Sequence, residues 1–127
     1  MDLKQINEEM EKANAYLKKC LWMDFEICQM DFVRIEVAGR IDTSSSEYAI
    51  SIEFEQPYFI SGILCWNLDN TKDFISIADA NEQIEHTRKF KIEQGKYLFK
   101  INMEDFETPL YIAASGVKCN IYNTPFD

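Results

Sequence analysis

The only histidine of the chain is the residue that a serine or cysteine nucleophile would need as its base. His86 lies in a polar stretch between Glu85 and Thr87, and no glycine-framed nucleophile occurs in the sequence. A surface histidine is the better interpretation, because a catalytic base needs a nucleophile within hydrogen-bond reach. The sequence therefore predicts no catalytic residue and no enzyme.

A second group that could do chemistry is a set of carboxylates close together in the sequence. Hard cations such as Mg²⁺ and Ca²⁺ prefer several oxygen ligands of this kind. The spacing matches no EF-hand loop, however, and no glycine turn separates the residues. We interpret the set as a solvated acidic rim without a metal, and a metal-dependent hydrolase is the weakest hypothesis. The set consists of Asp69, Asp73, Asp79, Glu82 and Glu85.

Cysteine, glycine and serine patterns point to no further site. The four cysteines are scattered, with no C-x-x-C pair and no histidine cluster, which favours buried free thiols over a disulfide framework or a zinc site. Neither a phosphate-binding loop nor a dinucleotide-binding fingerprint occurs, so we expect no cofactor. Ser44–Ser46 has no partner base in sequence and fits a loop. The cysteines are Cys20, Cys28, Cys65 and Cys119.

Net charge and hydropathy limit the possible partners and the location. The formal charge is −9 and the pI is about 4.6, so the phosphates of a nucleic acid would be repelled. No window approaches the roughly 18 consecutive apolar residues that a membrane span requires. The charged N-terminal stretch also lacks the apolar centre of a signal peptide. The sequence predicts a cytoplasmic protein whose partner is neither nucleic acid nor membrane.

The most informative feature is the segregation of charge along the chain. Between Ile41 and Thr71 there is no lysine or arginine, whereas carboxylates alternate there with aromatic residues. Aromatic anchors supply contact energy and carboxylates attract a cationic partner, so this segment predicts a docking surface for a basic protein. The competing interpretation is that the aromatic residues face the core and the acids solvate the sheet. The predicted partner-binding residues are Asp42, Glu47, Glu53, Glu55 and Asp69.

These observations favour a non-enzymatic interaction module whose acidic face binds a basic partner. Small acidic α+β proteins that neutralise a basic toxin or nuclease, as bacterial immunity proteins do, have this general profile, although the sequence carries no family motif. The alternative is a small-molecule binder with an apolar cavity inside a curved sheet, lined by residues such as Phe74, Phe99 and Trp66.

The elements that would position these residues begin with an amphipathic helix over residues 2–21. Its apolar residues recur at steps of three and four, and Asp2 with Gln5 predicts a capping box at its start. A helix of this length could lie across an entire small sheet. The apolar stripe consists of Leu3, Ile6, Met10, Ala13, Leu17 and Cys20.

After this helix the apolar pattern changes to a period of two, which is typical of strands with one buried face. Residues 25–27 and 33–37 alternate in this way, with a turn or bulge expected at 29–31. A polar loop over 39–46 then leads to a further alternating run over 48–54. Runs 33–37 and 48–54 predict an antiparallel hairpin.

The second half of the chain predicts shorter strands. Residues 58–66 are continuously apolar, as expected of one strand covered on both faces, with Gly62 at a bend. Residues 79–88 predict a helical turn or an exposed loop. Residues 90–92 and 97–101 predict a hairpin, around which the basic residues Arg88, Lys89, Lys91, Lys96 and Lys100 gather.

A last hairpin is predicted for residues 110–114 with 117–121. Because the segment Leu110–Tyr122 has few charges, it could pair with a second copy if it lay at a sheet edge, so the chain is expected to be a monomer or a homodimer. We expect one domain over residues 1–127. Its predicted class is α+β, with the N-terminal helix packed on a curved, mainly antiparallel sheet or partial barrel of about seven to eight strands.

Overall fold

The structure, a computed structural model, describes residues 1–42, 44 and 46–123. Thr43 and Ser45, which fall in the predicted polar loop and serine run, lie outside the described residues. The elements are helix α1 (Leu3–Lys18), strands β1 (Asp24–Met30), β2 (Arg34–Arg40), β3 (Ile50–Glu55), β4 (Phe59–Ser61), β5 (Cys65–Asn67) and β6 (Ile75–Ile77), helix α2 (Ala80–Phe90), and strands β7 (Tyr97–Ile101), β8 (Leu110–Ala114) and β9 (Gly116–Ile121).

The predicted α+β class, with a capped N-terminal helix and antiparallel strands, is confirmed. The nine strands form a five-stranded sheet in the order β5-β1-β2-β3-β9 and a four-stranded sheet in the order β4-β8-β7-β6. The predicted hairpin of β2 with β3 is present, and a bulge in β1 shifts its register between Ile27 and Gln29. Asp2 and Gln5 form the expected capping box of α1.

The core lies between the two sheets, where alternate residues of each strand meet. Phe54 of β3 contacts Phe99 of β7 edge to face, with 5.2 Å between ring centroids. Phe25 of β1 packs against Phe74 with ring centroids 4.4 Å apart. All four rings are almost completely buried, so this aromatic layer joins the sheets by removing apolar surface from water.

Two predicted elements are wrong because the chain changes sheets where a simple turn or bend was expected. Residues 58–66 do not form one strand, since β4 and β5 belong to different sheets. The crossing occurs at Gly62, whose φ is 150°, and a Cβ there would lie 2.5 Å from the side chain of Leu110. The final hairpin is also absent, because β8 and β9 lie in different sheets on either side of Ser115.

The predicted hairpin of residues 90–92 with 97–101 is wrong as well. Asp79 and Glu82 form a capping box that starts α2, and this helix continues to Phe90, where the ring packs 4.4 Å from that of Phe59. Strand β7 pairs instead with β6 and β8. The basic residues expected around one hairpin are therefore divided between the C-terminal end of α2 and the region of β7.

Helix α1 closes one side of the two-sheet core by hydrogen bonding to the edge strand of each sheet. On β9, the amide of Cys119 donates to the carboxylate of Glu9 at 3.0 Å, and the ammonium of Lys12 donates to the Cys119 carbonyl at 2.9 Å. On β6, the side-chain amide of Asn14 takes the place of a neighbouring strand. It donates to the Ile75 carbonyl at 2.9 Å and accepts from the Ile75 amide at 3.0 Å.

These bonds satisfy backbone groups that an open sheet edge would present to another chain. The edge of β9 that the sequence suggested for pairing with a second copy carries α1 instead. The inner face of α1 supplies Ile6, Met10, Ala13 and Leu17 to the same core.

Replacing Asn14 with alanine is expected to lower the free energy of unfolding by about 1–3 kcal/mol, because both backbone groups of buried Ile75 would lose their partner. Urea unfolding monitored by circular dichroism measures the change. Asn7→Ala is the matched control at an exposed position about two turns earlier on the same helix, with an expected change within about 0.5 kcal/mol. Equal effects of the two substitutions on the free energy of unfolding would show that the hydrogen bonds between Asn14 and Ile75 do not stabilise the protein.

Helix α2 packs on the outer face of the four-stranded sheet through a partly buried polar contact. Glu82 accepts hydrogen bonds from the Tyr111 hydroxyl, the Asp79 amide and the Lys100 ammonium. Burial raises the pKa of Glu82, but these three donors lower it by more, to about 2. His86, expected at the surface, is half-buried against the Tyr111 ring at 4.3 Å between centroids.

Glu82→Gln is expected to destabilise the protein by about 1–3 kcal/mol at pH 7, because three donors lose a charged acceptor. Because the pKa of Glu82 is depressed, the difference in free energy of unfolding between the wild type and the variant is complete above about pH 4.5. It is lost as the pH falls towards about 2. Urea unfolding of both proteins at several pH values measures the gap. In the control, Glu85→Gln breaks only the exposed ion pair with Lys89, and we expect less than about 0.5 kcal/mol. If the difference in free energy of unfolding between the wild type and Glu82→Gln did not decrease in acid, Glu82 would not be the charged acceptor that stabilises this contact.

Candidate functional site

A cleft of about 480 Å³ opens at the β5 edge of the five-stranded sheet. Its volume lies within the range of small ligand sites. We call it the acidic cleft, since it is lined by four carboxylates and one guanidinium together with aromatic and small polar residues. The lining residues are Asp24, Phe25, Glu26, Arg40, Cys65, Trp66, Asn67, Glu104, Asp105 and Phe106.

Strand register and one backbone hydrogen bond bring these residues together. Asp24 of β1 lies opposite Arg40 of β2 on one side and opposite Asn67 of β5 on the other. The loop that follows β7 is held beside β5, because the amide of Glu104 donates to the Asn67 carbonyl at 3.1 Å. Carboxylates from two distant parts of the chain therefore face the same space.

Glu26 and Arg40 form a neutralised pair within the cleft. The Arg40 guanidinium lies 2.7 Å from a Glu26 carboxylate oxygen and 4.5 Å from the centroid of the Tyr48 ring. The Tyr48 hydroxyl donates to the same carboxylate, and burial together with this bond raises the pKa of Tyr48. The Glu26 carboxylate is therefore neutralised by Arg40 and hydrogen-bonded to Tyr48, so it adds little to the net negative charge of the cleft.

The other carboxylates of the cleft have no such ion pair, and the attraction of Arg40 for Asp24 is shared with Glu26. Asp24, Glu104 and Asp105 form no salt bridge within the described part of the chain. Glu104 and Asp105 are exposed, whereas Asp24 is half-buried at the strand end. The cleft therefore carries an excess of negative charge that a cationic group would neutralise.

Three buried polar atoms at this cleft have no hydrogen-bond partner among the described residues: Asp24 Oδ2, Arg40 Nε and Trp66 Nε1. The Trp66 side chain is only 5% exposed. Burial raises the pKa of Asp24, nearby Asp42 raises it further, and Arg40 acts in the opposite direction. Unsatisfied buried groups are uncommon in native proteins, and each costs about 1–3 kcal/mol.

Of the five residues predicted to bind a partner, the structure places Asp42 beside the acidic cleft, within electrostatic range of Asp24. Asp69 follows β5 and accepts hydrogen bonds from Thr71, but it does not line the cleft. Glu47 lies just before β3. These three residues occupy loops around the same end of the five-stranded sheet.

Glu53 and Glu55 lie further along the outer face of β3. Glu53 is opposite Glu36, four residues from Arg40 along β2, which corresponds to about 13 Å. It lies 3.7 Å from the Arg34 guanidinium and opposite Lys118 of β9. The five predicted residues therefore do not form one continuous acidic surface. Sequence patterns did not reveal Asp24, Glu104 and Asp105, because the contact that unites them is made by the backbone.

The carboxylates weighed as a metal site are dispersed. Asp73 pairs with Lys18 at 2.7 Å, Glu85 pairs with Lys89 at 3.1 Å, and Glu82 bonds to Tyr111. Within residues 1–42, 44 and 46–123, no three histidine, cysteine or acidic side chains are placed to hold a metal ion.

Of the residues named in the small-molecule hypothesis, Trp66 lines the acidic cleft and the other two lie in the core. Phe74 and Phe99 are almost completely buried and in contact with other rings of the core. A separate apolar groove of about 500 Å³ lies at the turn between β1 and β2, where Phe32 is 96% exposed. Its lining residues are Met30, Asp31, Phe32, Ile35, Pro57, Tyr58, Phe59 and Ile60.

The cysteines are all free thiols, as predicted, but only Cys20 and Cys119 are buried. Cys28 and Cys65 are exposed, which corrects the expectation that all four are core residues. Although the Cys28 residue is exposed as a whole, partial desolvation of its thiol and the neighbouring carboxylate of Glu36 raise its pKa, so the thiol is not activated as a nucleophile.

Comparisons of this chain with protein-family models, curated proteins and solved structures find no match. Of the two helices in the described part of the chain, neither is both long enough and apolar enough to cross a membrane.

Asp24→Asn is expected to stabilise the free protein at pH 7 by an amount of the order of 1 kcal/mol, because it removes a poorly solvated charge. The raised pKa of Asp24 means that wild-type stability relative to the variant is greatest in acid and declines as the pH rises through that pKa. Thermal and urea unfolding between pH 3 and pH 7 measure the difference. The exposed Asp105→Asn variant is the control, with no comparable trend expected. If the difference in free energy of unfolding between the wild type and Asp24→Asn did not change with pH, the pKa of Asp24 would not be raised in the folded protein.

Proposed function

We propose that this protein is a non-enzymatic cytoplasmic interaction module that binds a basic protein through the acidic cleft. The observation that supports it best is the group of three carboxylates without ion pairs, Asp24, Glu104 and Asp105, beside buried polar atoms that lack partners among the described residues. A protein that keeps uncompensated charge at one place loses stability there and gains an attraction for an opposite charge. An inhibitor of a basic toxin or nuclease is a function of this kind.

Electrostatic attraction would act before contact. A net charge of −9 draws a basic protein towards this chain, and the cleft supplies a place where its cations lose water and find acceptors. The exposed Phe106 adds aromatic surface at the same place. Aromatic anchors surrounded by charge are typical of the residues that dominate binding energy in protein interfaces.

The positions of the candidate catalytic groups favour binding over catalysis. His86 is a residue of α2 that packs against Tyr111 of the four-stranded sheet, and its Nδ1 lies 2.7 Å from the carbonyl of Glu82 in the same helix. The acidic cleft is on the five-stranded sheet. Its lining within the described residues includes no histidine, and Glu26 is held by Arg40 and Tyr48.

Reversing two exposed charges of the cleft is expected to weaken capture of the basic partner at least tenfold, because attraction becomes repulsion. The experiment compares immobilised wild type with Glu104→Lys/Asp105→Lys, first in lysate of the source cell to identify the partner and then with the purified partner by surface plasmon resonance. For the wild type we expect fast association that slows as the salt concentration rises.

Two control variants carry the same change in net charge. Glu8→Lys/Glu11→Lys on exposed positions of α1 is expected to retain most of the affinity. Glu53→Lys/Glu55→Lys tests the sheet face that the sequence favoured. If all three double variants bind equally, or if association is indifferent to salt, the acidic cleft is not the docking site.

A further inference from the structure

We propose that the acidic cleft receives one arginine or lysine residue from an extended segment of the partner. The cation would lie among Asp24, Glu104 and Asp105, and a main-chain carbonyl beside it would accept a hydrogen bond from Trp66 Nε1–H. This inference deepens the proposed function and rests on it. Three independent features of the cleft support it.

The first feature is the sign of the uncompensated charge. Asp24, Glu104 and Asp105 lack salt bridges among the described residues, whereas the single cation lining the described cleft, Arg40, is held by Glu26 at 2.7 Å. An ammonium or guanidinium group therefore gains more from this space than a neutral or anionic group does. Partial burial of Asp24 strengthens the attraction, because solvent screens it less there.

The second feature is that the unpartnered nitrogens need an acceptor. Trp66 Nε1 and Arg40 Nε carry N–H donors, and no cation can accept a hydrogen bond from them. A peptide supplies both chemistries within one residue, because its side chain is cationic and its main-chain carbonyl is an acceptor. Since the indole N–H is covered in the free protein, the carbonyl reaches it only when side chains of the cleft wall shift. The exposed Phe106 belongs to that wall.

The third feature is the open edge of the five-stranded sheet. Ile27 donates to the Leu64 carbonyl and Leu68 donates to the Met23 carbonyl, so the backbone groups of residues 64 and 68 face β1. By the alternation of an antiparallel pair, those of Cys65 and Asn67 face away from it. The Asn67 carbonyl is taken by Glu104, which leaves the backbone of Cys65 open to an added strand.

The test uses a ¹⁵N-labelled sample of the full chain and the tripeptide acetyl-Gly-Arg-Gly-amide as the probe. We expect a saturable shift of the Trp66 indole N–H and of the amides around Cys65. The indole of Trp22, which does not line the cleft, serves as the internal control and is expected to stay unchanged. Observation of the wild-type signal avoids a Trp66 substitution, which would disturb the core.

Two matched probes separate the two interactions. The citrulline peptide, in which a neutral urea group replaces guanidinium, is expected to bind at least fivefold more weakly. Agmatine, which keeps the cation but has no main-chain carbonyl, is expected to leave the Trp66 indole signal in place. Asp105→Asn and Glu104→Gln should weaken the arginine peptide, whereas Glu8→Gln on α1 should not.

Equal binding of the arginine and citrulline peptides, or shifts confined to residues outside the cleft, would overturn this inference. The proposed function fails separately, when reversal of charge in the cleft leaves capture of the basic partner unchanged. A partner that docks at the cleft while the tripeptide produces no Trp66 shift would preserve the function and reject recognition through a single cationic residue and its carbonyl.

Discussion

The bonds between α1 and the two sheet edges are the constraint on which the rest of the structure depends. Glu9 and Lys12 satisfy the outward backbone of β9, and Asn14 satisfies that of β6, so one helix joins both sheets along the same side. The apolar face of the helix then enters the core that the sheets share. Without these polar contacts, backbone groups on both edges would be open to other chains.

The other edge strands of the two sheets are β4 and β5. The acidic cleft lies beside β5. It contains features that reduce stability in the free protein, namely the poorly solvated Asp24 and the N–H of Trp66, which has no partner among the described residues. Local departures of this kind are expected at functional sites, since a binding surface must keep groups unsatisfied until its partner arrives.

Sequence patterns predicted the parts of the fold that are local. Short-range sequence patterns predict the capping box at Asp2, the apolar stripe of α1 and the β2–β3 hairpin. The sheet crossings at Gly62 and Ser115 could not be predicted, because the same small residues serve in hairpin turns and the apolar alternation is alike in both sheets. Of the acidic residues predicted in segment 41–71, Asp42 lies beside the acidic cleft. The carboxylates that line the cleft lie outside that segment, and a backbone hydrogen bond of Glu104 brings them together.

A positive charge of a protein partner is expected to fill the acidic cleft. The most direct measurement is a crystal structure of the complex with the partner that the wild-type protein retains. We predict an arginine or lysine side chain of that partner within hydrogen-bond distance of Asp24, Glu104 or Asp105. A partner seated on α1, on the apolar groove around Phe32 or on the face that carries Glu53, with the cleft left open to solvent, would contradict this function.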